Sequence, residues 1–212
     1  MNKDVIPQPD PKPHGSEAAW LSAAYDVLTE SGVEAVKVGV LAKRLGVTRS
    51  GFYWYFKDRD ALLEAMIARW DAKNTGNLIG RTEAYAETIS EAMLNLFDCW
   101  LDADLFDSKL DLAIRNWART NPDLQAKVTR SDKRRFDAIC AMYQRFGYSF
   151  EQAEVRSMTV LYTQIGYISM LVNEPLDERI NRIPHYIEFY AGQRPSQSEI
   201  ARFTAKHTRP RT

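Results

Sequence analysis

The 212-residue chain predicts an all-α protein, an N-terminal three-helix unit with a helix-turn-helix followed by a larger C-terminal helical bundle. Three observations lead there. Apolar residues recur at three- and four-residue spacing along nearly the whole chain, and no run alternates as a half-buried strand does. Capping residues and glycine or proline stops cut that pattern into short helices first and longer ones afterwards. A 45% hydrophobic content is enough to build a core.

The elements follow in order. The opening stretch MNKDVIPQPDPKPHG alternates proline with polar residues and lacks an apolar signal core, which predicts a disordered or extended arm over 1–15. Ser16 can cap a first helix on which Trp20, Leu21, Ala24, Tyr25 and Leu28 share a face, and Gly32 stops it. A short helix over about 40–45 turns at Gly46 into a helix capped by Thr48. Asp58 or Asp60 opens the next, which runs out near 74–80. Longer helices are expected over about 82–101 and 105–119, and from Asn121-Pro122 to a stop at Gly147. Ser149 and Gln152 form a capping box for a helix that Pro175 ends, and a last helix spans about 176–190. After Gly192 the apolar period fades and Arg194, Arg202, Lys206, Arg209 and Arg211 predict a solvated basic tail. The implied divisions are 1–15, 16–73 including a linking helix, 81–191 and 192–212.

Several function classes drop out. No run approaches the roughly 18 apolar residues of a membrane span. Cys99 and Cys140 fit neither metal spacing nor a disulfide framework, and read as free, buried small hydrophobes in a reducing cytoplasm. No metal or cofactor is expected. His14, His185 and His207 join no Ser/His/Asp grouping, and no HExxH or phosphate-cradling glycine loop is present, so the chain is not expected to be an enzyme.

The chemistry gathers between Lys37 and Arg59. Two short helices meeting at a glycine are what a helix-turn-helix needs. Gly46 takes a backbone conformation costly to other residues, Val47 plugs the angle, and Val40, Leu41 and Leu45 face inward beside small Ala42. Phe52 to Phe56 are all aromatic. At about 100° per residue, Phe52 and Phe56 fall on one side as core, while Arg49, Ser50, Tyr53 and Trp54 face out. Thr48 and Arg49 sit at a helix N-terminus, where free N–H groups favour an anion. Recognition helices reach base edges with their first residues, and Arg49 can grip guanine O6 and N7 together. Gly51 would let the backbone approach a surface closely. Charge agrees: Lys+Arg and Asp+Glu balance at 28 each, yet Glu17, Asp26, Glu30 and Glu34 precede a cluster of Lys37, Lys43, Arg44, Arg49, Lys57 and Arg59.

The stretch VKVGVLAKRLGVTRSGFYWYFKDRDALLEAMI, with WLSAAYDVLTESG before it, resembles the DNA-binding region of the TetR family of helix-turn-helix transcriptional regulators. The likeness runs over about 16–70 and carries the pattern L-A-x-x-L-G-V-x-x-x-x-x-Y-x-x-F-x-x-[KR]-x-x-L-L. It implies a homodimeric transcription factor, usually a repressor, that binds double-stranded operator DNA and is released by a small-molecule effector in its C-terminal domain. The family's phosphate and base contacts would fall on Thr48, Arg49, Ser50, Tyr53, Trp54, Tyr55, Lys57 and Arg59. Tyr55 is either packed or base-reading. Where the family often has Ser or Thr before its second helix, this chain has Val38-Gly39, which removes a cap and leaves Lys37 as the substitute contact.

The C-terminal half leaves alternatives open. Arg115 either lines a cavity and binds an anionic or acyl ligand, or pairs with Asp111 at i,i+4. Phe97, Trp100, Trp117, Tyr143, Phe146, Met158 and Tyr162 either line an apolar pocket or fill the core. The last two long helices resemble the family's dimer-forming pair, with Gly166 and Ser169 as small surfaces and Tyr162, Tyr167 and Met170 as anchors, although packing inside one chain would use them almost as well. An effector-independent nucleoid-associated or assembly factor of the same fold is the alternative function.

Overall fold

The computed structural model describes residues 15–208, so the expected arm over 1–14 and the last residues, 209–212, lie outside the described residues. Among the described residues there is no strand. The chain divides into two compact units, Met1–Ile67 and Ala68–Thr212, and the division falls inside a helix rather than after it.

Unit 1 holds α1 (Glu17–Ser31), α2 (Val38–Leu45) and the start of α3 (Arg59–Trp70), with 3-10 segments at Val33–Ala35 and Arg49–Trp54. Ser16 caps α1 by accepting the Ala19 N–H. Gly46 ends α2 in the left-handed region (φ 68°, ψ 24°), and the Val47 N–H donates back to the Ala42 carbonyl at 3.0 Å. That reversal is strained for any residue with a Cβ. Of the two candidate caps for α3, Asp58 serves, its carboxylate accepting the Ala61 N–H at 2.8 Å.

The segment after the turn differs from expectation. Arg49–Trp54 is a 3-10 helix, and Thr48 makes no side-chain cap. The Thr48 and Ser50 hydroxyls bond each other at 2.9 Å instead. Gly51 and the aromatic run have weak α-propensity, and a short 3-10 piece still fixes which side each ring takes.

In unit 2, a π-helical turn at Asp71–Gly76 leads into α4 (Asn77–Glu83), so the chain stays helical where the sequence predicts a run-out. The single helix expected over 82–101 is broken. Thr88 accepts the Glu91 N–H and restarts the chain as α5 (Ile89–Leu101). Asp107 caps α6 (Ser108–Ala118), and Asn121 with Pro122 opens α7 (Pro122–Arg145). The Ser149–Gln152 capping box starts α8 (Phe150–Ser169), and α9 (Leu176–Ala191) follows. The core gathers Met93, Leu96 and Cys99 of α5 with Ile139 and Tyr143 of α7, Val160 of α8 and Ile187 of α9. Both cysteines are free and buried, and burial pushes the Cys99 thiol up to about 12, so it packs as a hydrophobe.

The predicted solvated tail is largely a helix, α10 (Gln197–Thr208). Its inward stripe is Glu199, Phe203 and His207, spaced i, i+4 and i+8, and two of the three are polar. Glu199 accepts the Thr88 hydroxyl at 2.5 Å. Asp98 of α5, buried, receives Lys206 Nζ at 2.5 Å and lies 2.8 Å from His207 Nε2. Buried polar groups with partners dock this helix, where a search for apolar period finds one phenylalanine.

A second buried cluster stands at the junction of α3, α6 and α7. Asp111, fully buried, accepts from Trp70 Nε1 at 2.8 Å, Arg115 Nε at 2.7 Å and Arg135 Nη1 at 3.3 Å. Arg115 also binds Asp132 at 2.6 Å. Burial alone would raise the Asp111 carboxyl, but the charges of Arg135 and Arg115 outweigh it and hold it below the usual range. Among the described residues, no helix is long and apolar enough to cross a membrane, and no group of three or more His, Cys, Asp or Glu could hold a metal ion.

Candidate nucleic-acid interface

The core of unit 1 sorts the aromatic run. Phe52 is fully buried and meets Trp20 edge-on at 5.3 Å and Phe56 at 5.4 Å. Tyr53 and Trp54 are 63% and 74% exposed. The Tyr53 ring stands at 90° to Phe52, 5.3 Å away, so a buried ring steadies an exposed one. Thr48, Arg49, Ser50 and Lys57 are exposed around them. Lys37 and Lys43, at either end of α2, are exposed as well.

Three residues behave differently from the sequence expectation, and Tyr55 makes a contact within unit 1. Arg59 is a brace: its Nε donates to the Val36 carbonyl at 2.6 Å and its Nη2 to the Val33 carbonyl at 2.7 Å. Val33 opens the Val33–Ala35 turn and Val36 follows it, so this guanidinium pins the start of α3 to the α1–α2 connection and is poorly free for phosphate. The Tyr55 hydroxyl donates to the Gly15 carbonyl at 2.7 Å, while the ring stays 39% exposed. Arg44 is held by both Glu30 oxygens at 2.8 and 2.9 Å, which removes it from the cationic set. Gly51 is buried rather than on the exposed face.

The departure at Val38-Gly39 has a visible consequence. Lys37 stands at the N-cap of α2 without a side-chain cap, as the sequence suggests. A Cβ at Gly39 would lie only 2.8–3.0 Å from the Arg49 guanidinium. The chain loses a hydroxyl there and gains a flat seat for its foremost arginine.

Unit 2 carries a cleft between α5, α8 and α9, about 530 Å³ of empty space counting its open mouth. Phe97 and Trp100 line it, as one reading of the sequence expects, together with Tyr167, Arg179, Tyr186 and Tyr190. Arg115, Trp117, Tyr143, Met158 and Tyr162 are not among its lining. Arg115 belongs to the buried ion cluster, which is the i,i+4 alternative, and fully buried Tyr143 donates its hydroxyl toward Met93 sulfur at 3.3 Å. Met158 and Tyr162 are exposed on α8. The missed residues had a signal: Arg179, Ile183, Tyr186 and Tyr190 recur at three- and four-residue spacing on one face of α9. Trp100 Nε1 is buried without an acceptor among the described residues, a deficit of about 1–3 kcal/mol.

The expected interface residues split. Tyr162, Ser169 and Met170 are exposed, and a Cβ at Gly166 would meet nothing within 4 Å. Tyr167 turns inward and donates its hydroxyl to Glu174 at 3.0 Å.

A helix-turn-helix with an exposed cationic and aromatic face precedes an all-helical bundle in the chain. Residues 21–66 of the chain match the family described as bacterial regulatory proteins, tetR family. The chain is 36% identical over 157 residues to the tetracycline repressor protein class A from transposon 1721 of Escherichia coli, a match covering 70% of this chain and 63% of that repressor's length. Its fold is similar to that of Mycobacterium smegmatis AmtR, with a TM-score of 0.64 at 18% identity over 94% of this chain and 97% of that one. Salmonella enterica GusR gives a TM-score of 0.57 at 14% identity, covering 91% and 93%.

Proposed function

We propose that the protein is a homodimeric, sequence-specific transcriptional repressor that binds double-stranded operator DNA through unit 1 and is released by a small molecule bound in unit 2. The observation that carries the reading is the exposed set of Lys37, Arg49, Ser50, Tyr53, Trp54 and Lys57 built on the buried Phe52–Phe56 pair. Arg49 and Ser50, with Thr48 before them, open the reading segment and contact base edges. Lys37 and Lys57 flank it and contact phosphates, which position the protein without reading sequence. Tyr53 and Trp54 add contacts to sugar and phosphate.

Dimerisation is supported by apolar residues left exposed on α8 and α9, among them Val155, Met158, Tyr162 and Phe189. Two reading segments must sit about 34–36 Å apart to enter successive major grooves on one face of the duplex. A ligand that prefers another spacing draws the population away from DNA. Repression as the sense of regulation is supported by the name of the Escherichia coli relative, and a cytoplasmic location goes with the proposed operator binding.

Selecting sites from random DNA with the purified protein tests the reading. Two related half-sites, about 10 bp or a multiple apart between centres, are expected. Broad binding without a recovered motif would instead favour an effector-independent, nucleoid-associated factor.

A further inference from the structure

We propose that the cleft between α5, α8 and α9 binds a small aryl carboxylate, one or two flat rings bearing an acid group. This rests on reading unit 2 as the effector-binding body, and it names the chemistry of the effector.

The walls ask for a ring. Tyr186 stacks on Tyr190 with centroids 5.9 Å apart and planes 10° from parallel, and on Phe97 at 6.4 Å and 26°. Nearly parallel faces of this kind accept another flat ring by offset stacking. Leaving out the open mouth, the cleft holds about 50 Å³, so a ligand ring would lie partly in the mouth rather than wholly enclosed.

The polar groups ask for an anion. The Trp100 indole N–H is buried and has no acceptor among the described residues. Arg179 donates one N–H, from Nη2, to the carbonyl of Trp100 at 2.7 Å and lies over the Tyr167 ring at 5.5 Å. It makes no ion pair among the described residues. Glu174, the carboxylate of the lining, is already occupied by the Tyr167 hydroxyl and by Arg182 Nη1 at 2.6 Å. Two guanidiniums against one carboxylate leave a positive charge in excess, and the buried indole N–H is a donor still short of a partner. A ligand carboxylate supplies the charge and the acceptors together. An organic cation would meet the excess charge with the wrong sign, and a plain hydrocarbon would leave the indole N–H unmet.

The test is calorimetric titration of the full-length protein with benzoate and 2-naphthoate, against 2-naphthamide as the neutral molecule of the same shape. At least one acid should bind saturably, about tenfold or more tighter than the amide. Trp100→Phe and Arg179→Met should each weaken the acid by about tenfold and leave the amide nearly unchanged. Thermal unfolding without ligand shows whether the variants fold, and if they do not, the acid–amide comparison on the parent protein decides. Equal affinity for acid and amide, no saturation by either acid at millimolar concentration, or unchanged acid binding by folded Arg179→Met overturns the proposal. Operator release is measured separately by anisotropy. An acid that binds without releasing DNA supports the cleft assignment and contradicts the effector reading. Release by some other molecule, with no acid bound, contradicts the assignment and leaves that reading standing.

Discussion

Arginines and lysines mean different things in the two units. In unit 1, Lys37, Lys43, Arg49 and Lys57 stand exposed with no carboxylate partner among the described residues. In unit 2, Arg115 and Arg135 lie largely or wholly buried and share Asp111 and Asp132. The first arrangement offers charge to an outside anion, and the second spends it on holding helices together. Arg59 and Arg44 show that residence in unit 1 is not enough, because nearby carbonyls or carboxylates recruit both for architecture. Partners, not residue type, decide the role.

The largest expected effect lies in the buried cluster. Asp111→Ala leaves Arg135 without its buried partner and should cost about 3–5 kcal/mol in urea unfolding. A loss under about 1 kcal/mol would show the cluster to be dispensable.

Acid should expose the second buried carboxylate. Burial raises the Asp98 carboxyl, but hydrogen bonds from His207 and Lys206 and the charges of Lys206 and Arg81 outweigh it and leave it lowered from its usual 3.8. A carboxyl that holds its proton more weakly when folded stabilises the protein above its unfolded value, and the contribution is lost as pH falls through the folded one. Parental stability should therefore drop below about pH 4. Asp98→Asn should be less stable near neutral pH and flatter across that acid range, read by urea unfolding at successive pH values. A parental slope carried over intact into Asp98→Asn would assign the acid sensitivity elsewhere.

Arg59→Ala, a brace by its contacts, should lower stability by about 1–3 kcal/mol. It should leave the salt dependence of DNA binding as it is. A reduced salt slope would return Arg59 to the phosphate contacts.

Legibility followed the distance between partners. The helix-turn-helix was readable because Gly46, Val47, Phe52 and Phe56 act within a few residues of one another, and angle alone placed Tyr53 and Trp54 outside. Periodicity alone predicts an α-helix over Arg49–Trp54, because the Thr48–Ser50 hydroxyl pair that replaces the cap leaves no mark in it. Docking of α10 was hidden because His207 meets Asp98 across 109 positions, and Glu199 meets Thr88 across 111. Thr88 itself reads as one more polar residue in a long apolar run until its side chain is seen capping α5. Arg115 remained ambiguous because Asp132, which completes its pairing, sits on the next helix.

The central claim is that the exposed cations of unit 1 divide between reading bases and holding phosphates. Fluorescence anisotropy on a selected operator and a scrambled duplex, across a salt series, tests it with Arg49→Ala and Lys57→Ala. Arg49→Ala should lose about 1–3 kcal/mol of discrimination between the two duplexes. Lys57→Ala should keep the discrimination, bind both more weakly and lower the salt slope by about 1. Parental affinity, discrimination and slope in both folded variants would contradict the account.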